Sequence, residues 1–314
     1  MKETLPLITI MGPTGIGKTS LAFDLYDKLD VEIISVDSVQ IYKNLDIGSG
    51  KPSRVLLKKY PHKLINKIEP YKSYSSALFR EEALSEICTA SEQNKLPLLV
   101  GGTMLYFQSL FLGLSNMPET DPNVRKKITQ QAKLLGWEEM HRKLAVIDPE
   151  SARRIHPNDT QRIQRALEVY ESSLKTLTDW HKEKKKEVSP KLSNFKIFQF
   201  AIQTEDRELH RKNVASRFQS MIEAGLVDEV ESILKIKRMD TSVPSMRSIG
   251  YRQVCEFLEG NISYDEMIFK GITATRQLAK RQMTWLRSWK NLIWLNESSK
   301  DMSQEILDKV SNEL

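Results

Sequence analysis

Cysteine is almost missing from this chain of 314 residues: Cys88 and Cys255 stand far apart, with no C-x-x-C or histidine-spaced partner. That pattern offers neither a disulfide framework nor a zinc site. No apolar run approaches the roughly 18 residues that a membrane span needs. The 13 glycines and 12 prolines follow no period, which excludes collagen-like and low-complexity chains. The opening Met1-Lys2-Glu3-Thr4-Leu5-Pro6 sets an acid beside its one lysine and does not resemble a signal peptide. A reducing cytoplasm is the expected location.

Charge is present in both signs, 47 Lys and Arg against 41 Asp and Glu, for a formal net charge of +6. So mild an excess does not imply nucleic-acid binding by itself; its distribution has to decide. Hydrophobic residues make up 40%, enough for a sizeable core, and the length suggests two domains.

Near-continuous apolar runs of strand length occur at Leu5 to Met11, Val31 to Asp37, Leu96 to Gly102 and Phe195 to Ile202, with helix-like stretches such as Ser76 to Asn94 between them. Strands of that kind alternating with helices predict a parallel sheet covered on both faces, an α/β fold. From Asn116 the texture changes, and Asn116-Met117-Pro118-Glu119-Thr120-Asp121-Pro122 reads as a linker into a charged helical stretch. The expectation is a discontinuous core, 1–115 with 195–314, interrupted by a helical insertion at 116–194. Lys182-Glu183-Lys184-Lys185-Lys186 reads as a solvated loop.

Gly12-Pro13-Thr14-Gly15-Ile16-Gly17-Lys18-Thr19 matches G-x-x-x-x-G-K-[ST] in full, between a strand and a helix. Its glycines let backbone N–H groups curl around phosphate oxygens, and the helix N-terminus adds its positive dipole end. Lys18 would supply a charge to the terminal phosphate and the Thr19 hydroxyl a ligand to Mg²⁺. A phosphate cradle does not name a reaction. A nucleotide hydrolase would want a strand ending in an acid, yet Leu98-Leu99-Val100 runs into Gly101-Gly102-Thr103. Only the second strand ends in a carboxylate, Asp37. It could be a Mg²⁺ ligand, a general base or a turn cap, and composition leaves the three open.

Beyond the loop lie Ser35-Val36-Asp37-Ser38-Val39-Gln40-Ile41-Tyr42, Asp46-Ile47-Gly48, Gly101-Gly102-Thr103-Met104-Leu105-Tyr106, His156-Pro157-Asn158-Asp159, Ser248-Ile249-Gly250-Tyr251-Arg252-Gln253 and the run Arg276 to Arg287. Together with the loop, these blocks resemble the bacterial tRNA dimethylallyltransferases (tRNA isopentenyltransferases). The resemblance implies a P-loop core and transfer of a dimethylallyl group from dimethylallyl diphosphate, with Mg²⁺ as cofactor. The acceptor it implies is N6 of the adenosine 3′ of the anticodon in a tRNA anticodon stem-loop. It implies that Asp37 is the general base, that Gly12 to Thr19 with Arg217 hold the diphosphate, and that Thr103 lies beside the acceptor base. It further implies tRNA contacts at Asp37, Ser38, Val39, Gln40, Thr103 and Arg125, and at Gln161-Arg162-Ile163-Gln164-Arg165. Others fall at Arg247-Ser248-Ile249-Gly250-Tyr251-Arg252 and Lys280-Arg281-Gln282-Met283-Thr284-Trp285-Leu286-Arg287. The phosphate loop here has Gly15-Ile16 where the family often has Ala-Ser, and Val39 stands where Ala is common; these are loop positions at which the backbone does the binding.

The charge pattern of the last segment agrees with such a partner. At about 100° per residue Arg276, Lys280, Arg287 and Lys290 project within one arc of about 80°. Residues 276 to 290 hold five basic side chains and no acid, a distribution that favours phosphate contact. A monomer is expected. The competing readings are prenyl transfer to free AMP or ADP, which needs no acid-free basic helix, a small-molecule phosphotransferase, and an RNA-binding module.

Overall fold

A computed structural model describes residues 4–113, 117–118, 121–183 and 189–313. The expected linker at 116–122 and the lysine run at 184–186 therefore lie wholly or partly outside the described residues. The chain divides into two compact units, Leu112–Val188 and Met1–Phe111 with Ser189–Leu314. The short helical turn Pro190–Leu192 belongs with the sheet unit, not with the insertion as expected, because Leu192 is buried in the sheet's core.

Strands β1 (Leu5–Met11), β2 (Val31–Val36), β3 (His62–Lys63), β4 (Leu96–Gly101), β5 (Phe195–Gln203) and β6 (Ile293–Asn296) form one sheet. Their order is β3-β2-β4-β1-β5-β6 and every pairing is parallel. Successive residues divide between its two faces. Ile8, Ile10, Ile33, Leu98 and Phe200 enter one apolar cluster, while Leu7, Met11, Ile34, Leu99 and Ala201 enter another. With both faces buried, the strands carry no polar alternation, the signature of a sheet wrapped by helices. Because all strands run the same way, the turns after Met11, Val36 and Gly101 emerge at one edge, where ligands of open α/β sheets bind.

The edge strands were not expected: β3 has two residues and β6 four, too short to leave a pattern in sequence. In the other unit, the helices Pro122–Leu135, Trp137–Ile147, Pro149–Arg154, Thr160–Ser173 and Leu177–Lys182 surround a core of Ile128, Met140, Leu144, Ile163 and Leu167.

Candidate active site

The helix Lys18–Lys28 begins at Gly17, whose φ of 90° no ordinary side chain adopts comfortably, and no side chain caps its first turn. Its leading N–H groups are thus left for a ligand. Thr14 to Thr19 line a cavity of about 440 Å³ together with Asp37, a volume within the range of small-molecule sites. Gly12 and Pro13 do not line it, contrary to expectation. Their carbonyls accept hydrogen bonds from the Lys18 ammonium at 2.9 and 2.7 Å, so they hold the lysine. Ile16 is a core side chain, 1% exposed, and only its backbone can serve the cradle. Burial pushes the Lys18 ammonium down from 10.5 to about 8, opposed by the Asp37 carboxylate and reinforced by the Arg217 guanidinium.

Asp37 follows β2 directly. Its Oδ1 accepts the N–H groups of Val39 at 2.8 Å and Gln40 at 3.2 Å, so the cap reading is correct as far as it goes. Oδ2 accepts no hydrogen bond among the described residues and stays available to the cavity. Capping by one oxygen orients the other, so a cap and a reactive carboxylate are compatible in one residue. The field of Asp37 reaches Lys18, Lys51 and Arg217, where it opposes the downward shift that burial imposes, and Tyr106, where it adds to the upward shift caused by burial.

Between the phosphate loop and Asp37 runs the end of β4, at a separation that only glycine permits. A Cβ on Gly101 would sit 2.1 Å from the Val36 carbonyl oxygen, and one on Gly102 would sit 2.5 Å from Gln282 Nε2. Thr103 does not line the cavity; its Oγ1 accepts the Ser38 N–H at 3.1 Å and ties the β4 turn to the Asp37 turn. Arg217, on the helix Arg207–Glu223, does line it, as do Ser38, Val39 and Gln40. Partial desolvation lowers the pKa of its guanidinium and Asp37 opposes that shift.

Arg247, Ser248 and Ile249 reach the cavity wall, whereas Gly250 and Tyr251 are buried and present no side chain to a tRNA; Arg252 is exposed. The helix Tyr264–Arg287 turns Lys280, Arg281, Thr284 and Arg287 outward, and none of the three basic residues forms an ion pair among the described residues. Met283 and Trp285 are half-buried. Gln282 and Leu286 point inward, contrary to expectation. Leu286 is a core residue, and the Gln282 amide accepts the Thr14 N–H at 2.9 Å and donates to the Gly102 carbonyl at 2.8 Å. That bridge between the two glycine turns left no signal in sequence, where Gln282 sits among basic residues. Lys290 lies beyond the end of the helix, so it does not continue the arc of Arg276, Lys280 and Arg287.

Within the helical unit Gln161 and Arg162 are exposed, Ile163 is core, and Gln164 and Arg165 are half-buried. Gln164 bonds Thr129 at 3.2 Å and Arg165 donates to the Pro118 carbonyl at 2.9 Å. Arg125 pairs with the buried Glu168 at 3.5 Å. Ile163 therefore offers no contact surface, and Arg125 has a structural partner besides any it would meet in a ligand.

The family model described as IPP transferase matches residues 40–289, and one described as isopentenyl transferase matches residues 5–68. The chain belongs to the IPP transferase family. It is similar to a tRNA isopentenylpyrophosphate transferase of Staphylococcus epidermidis, 31% identical over 98% of this chain and 99% of that one, with a TM-score of 0.69. The corresponding enzyme of Bacillus halodurans is 30% identical over 98% and 95% of the two chains, with a TM-score of 0.69. A eukaryotic dimethylallyltransferase acting on tRNA shares the fold at 24% identity, covering 98% of this chain and 80% of that one with a TM-score of 0.79. Membership makes this chain a prenyl transferase. The phosphate loop is therefore not that of a hydrolase or kinase, and a nonenzymatic binding module is excluded.

No helix among the described residues is long and apolar enough to cross a membrane. Nor do they hold a group of three or more His, Cys, Asp or Glu able to bind a metal ion. Of carboxylates the cavity instead offers Asp37 alone, and of its hydroxyls Thr19 is the one that directly follows the phosphate-loop lysine. That sparse set suits Mg²⁺, which keeps several waters and takes much of its coordination from substrate phosphates.

Proposed function

We infer that this protein transfers a dimethylallyl group from dimethylallyl diphosphate to N6 of the adenosine 3′-adjacent to the anticodon of a tRNA, releasing diphosphate. One observation carries the reading: an anion cradle and an uncommitted carboxylate oxygen, that of Asp37, open into a single cavity. The exocyclic amine of adenine is a weak nucleophile, because its lone pair is delocalised into the ring. It gains reactivity if a carboxylate takes its proton as the C–N bond forms. Asp37 is the group for that task. The leaving diphosphate meets the amides of Gly15 to Thr19, the Lys18 ammonium and the Arg217 guanidinium, which stabilise the charge that grows on it. Bound Mg²⁺, held through Thr19, would neutralise further charge on the same phosphates.

The outward Lys280, Arg281 and Arg287, free of acidic neighbours on their own helix face, suit a phosphate backbone. A base in an anticodon loop can leave its stack at a cost of a few kcal/mol, lower than in a duplex, and so reach a recessed carboxylate. The test is mass spectrometry of nucleosides from unmodified tRNA incubated with dimethylallyl diphosphate and Mg²⁺. An adenosine heavier by one dimethylallyl group at that position is expected. Turnover on AMP with none on an anticodon stem-loop would overturn the reading.

A further inference from the structure

The segment Asp46 to Gly50 forms part of the cavity wall through Gly48, Ser49 and Gly50, and it is held from behind by two side chains that do not line the cavity. Glu229, on the helix Leu226–Leu234, accepts the N–H groups of Asp46 and Ile47 on Oε2 at 2.9 and 2.7 Å. Its Oε1 accepts the Gly48 N–H at 3.1 Å and the Tyr251 hydroxyl at 2.7 Å. The Tyr251 oxygen in turn accepts the Ser49 N–H at 3.1 Å, and the ring is 0% exposed. Consecutive amides from 46 to 49 thus converge on one carboxylate and one phenol. Such a row of N–H groups makes an anion-binding concavity, and here the chain supplies the anion itself. Lys51 locks the segment from the other end: its side chain is 1% exposed and donates to Asp46 Oδ1 at 3.0 Å and Asn66 Oδ1 at 2.6 Å.

Arg217 is what this segment faces. Gly50 has φ +62°, and a Cβ there would lie 1.9 Å from Arg217 Nη2 and 3.3 Å from Met221 Cε. The guanidinium therefore rests against a bare Cα. Among the described residues it makes no ion pair and no hydrogen bond, so the shape of the segment decides where it sits. Glu229 and Tyr251 decide the shape of the segment.

We propose that Glu229 and Tyr251 are positioning residues that act through residues 46–50 to hold the Arg217 guanidinium at the donor's diphosphate. The proposal rests on reading the cavity as the donor site. It is tested by calorimetric titration of dimethylallyl diphosphate into the full-length protein and into Tyr251→Phe, Glu229→Gln and Arg217→Ala. Each of the first two is also combined with the third. Amide hydrogen exchange at 46–49 and the melting midpoint are measured alongside.

Tyr251→Phe and Glu229→Gln should each weaken donor binding about tenfold and speed exchange at 46–49, with the melting midpoint within a few degrees. In the Arg217→Ala background each should cost less than about twofold, because both losses act through one group. Two variants guard against a folding defect in either. Equal losses in both backgrounds, or faster exchange with unchanged affinity, would overturn the proposal while leaving the donor site intact. Full affinity in Arg217→Ala would overturn the proposal alone, whereas failure of the unaltered protein to bind dimethylallyl diphosphate would sink the donor-site reading and this proposal with it.

Discussion

The helical unit and the cavity of the sheet unit dispose of the same polar groups in opposite ways. In the helical unit the chain closes four of the five described helix starts: Asp121, Asp148, Asp159 and Thr176 each accept an N–H from the first turn of the helix they precede, and only Trp137–Ile147, behind Gly136, lacks a side-chain cap. Its charges also find partners, Lys127 with Glu171 at 3.0 Å and Arg162 with Asp159 at 3.3 Å among them. In the sheet unit the helix Lys18–Lys28 starts uncapped, and neither Lys18, Asp37 nor Arg217 forms an ion pair among the described residues. Satisfied groups stabilise a fold; groups left open cost stability and keep affinity for something not yet bound. Polar groups held unsatisfied by close-packed surroundings thus mark the functional part of the molecule.

The contrast can be broken most severely at Asp37. Asp37→Ala should lower turnover by a factor of about 10² to 10⁴ while donor affinity, measured by titration, changes little; near-normal turnover would remove the general base from the scheme. Next comes Lys18→Met, expected to weaken donor binding by roughly tenfold or more and, unusually for a functional site, to stabilise the ligand-free fold. The sign follows from a folded-state pKa near 8 against 10.5 unfolded. Holding the ammonium charged in the folded state is unfavourable, fully so below pH 8, and the penalty fades as pH rises toward 10.5. The unaltered protein should therefore gain stability relative to Lys18→Met across that interval, which melting curves at stepped pH would show.

Gln282→Leu should come third. It strands the Thr14 N–H and the Gly102 carbonyl, at about 1–3 kcal/mol of stability, with a matching fall in kcat/KM. Arg281→Gln, on the open basic face, should reduce the slope of log affinity for tRNA against log salt by about 1 without changing donor affinity. The smallest effect belongs to the helical unit: Lys127→Ala should cost no more than about 0.5 kcal/mol in denaturant unfolding, because its partner is a surface ion pair. A cost several times larger would mean that the pairing in that unit does more than satisfy itself.

Most of the sheet could be read from the chain, because strands buried on both faces announce themselves as unbroken apolar runs; β1, β2, β4 and β5 all fall where such runs stand. β3 and β6 could not be read, since two and four residues at sheet edges carry no period. The phosphate loop was legible because its chemistry lies in contiguous residues. Gln282 was not, because whether a residue of a basic helix faces outward or bridges two distant turns depends on the helix's rotation against the sheet. Tyr251 and Leu286 were misread for the same reason: a segment can border a ligand surface while individual side chains within it turn to the core.

By itself the sequence determined the parallel α/β plan, the phosphate-loop motif at residues 12–19, the carboxylate that ends the second strand and the sign of the charge on the last long helix. Each of these follows from local order, such as apolar runs, glycine spacing or the absence of acids over a stretch. Only the tertiary structure decided that Asp37 caps a turn with one oxygen and keeps the other for the cavity, that Gly12 and Pro13 hold Lys18, and that Glu229 and Tyr251 shape the wall on which Arg217 rests. Those relations join residues as far as 202 positions apart. They depend on which surfaces meet once the apolar faces are buried, and no local pattern along the chain encodes that.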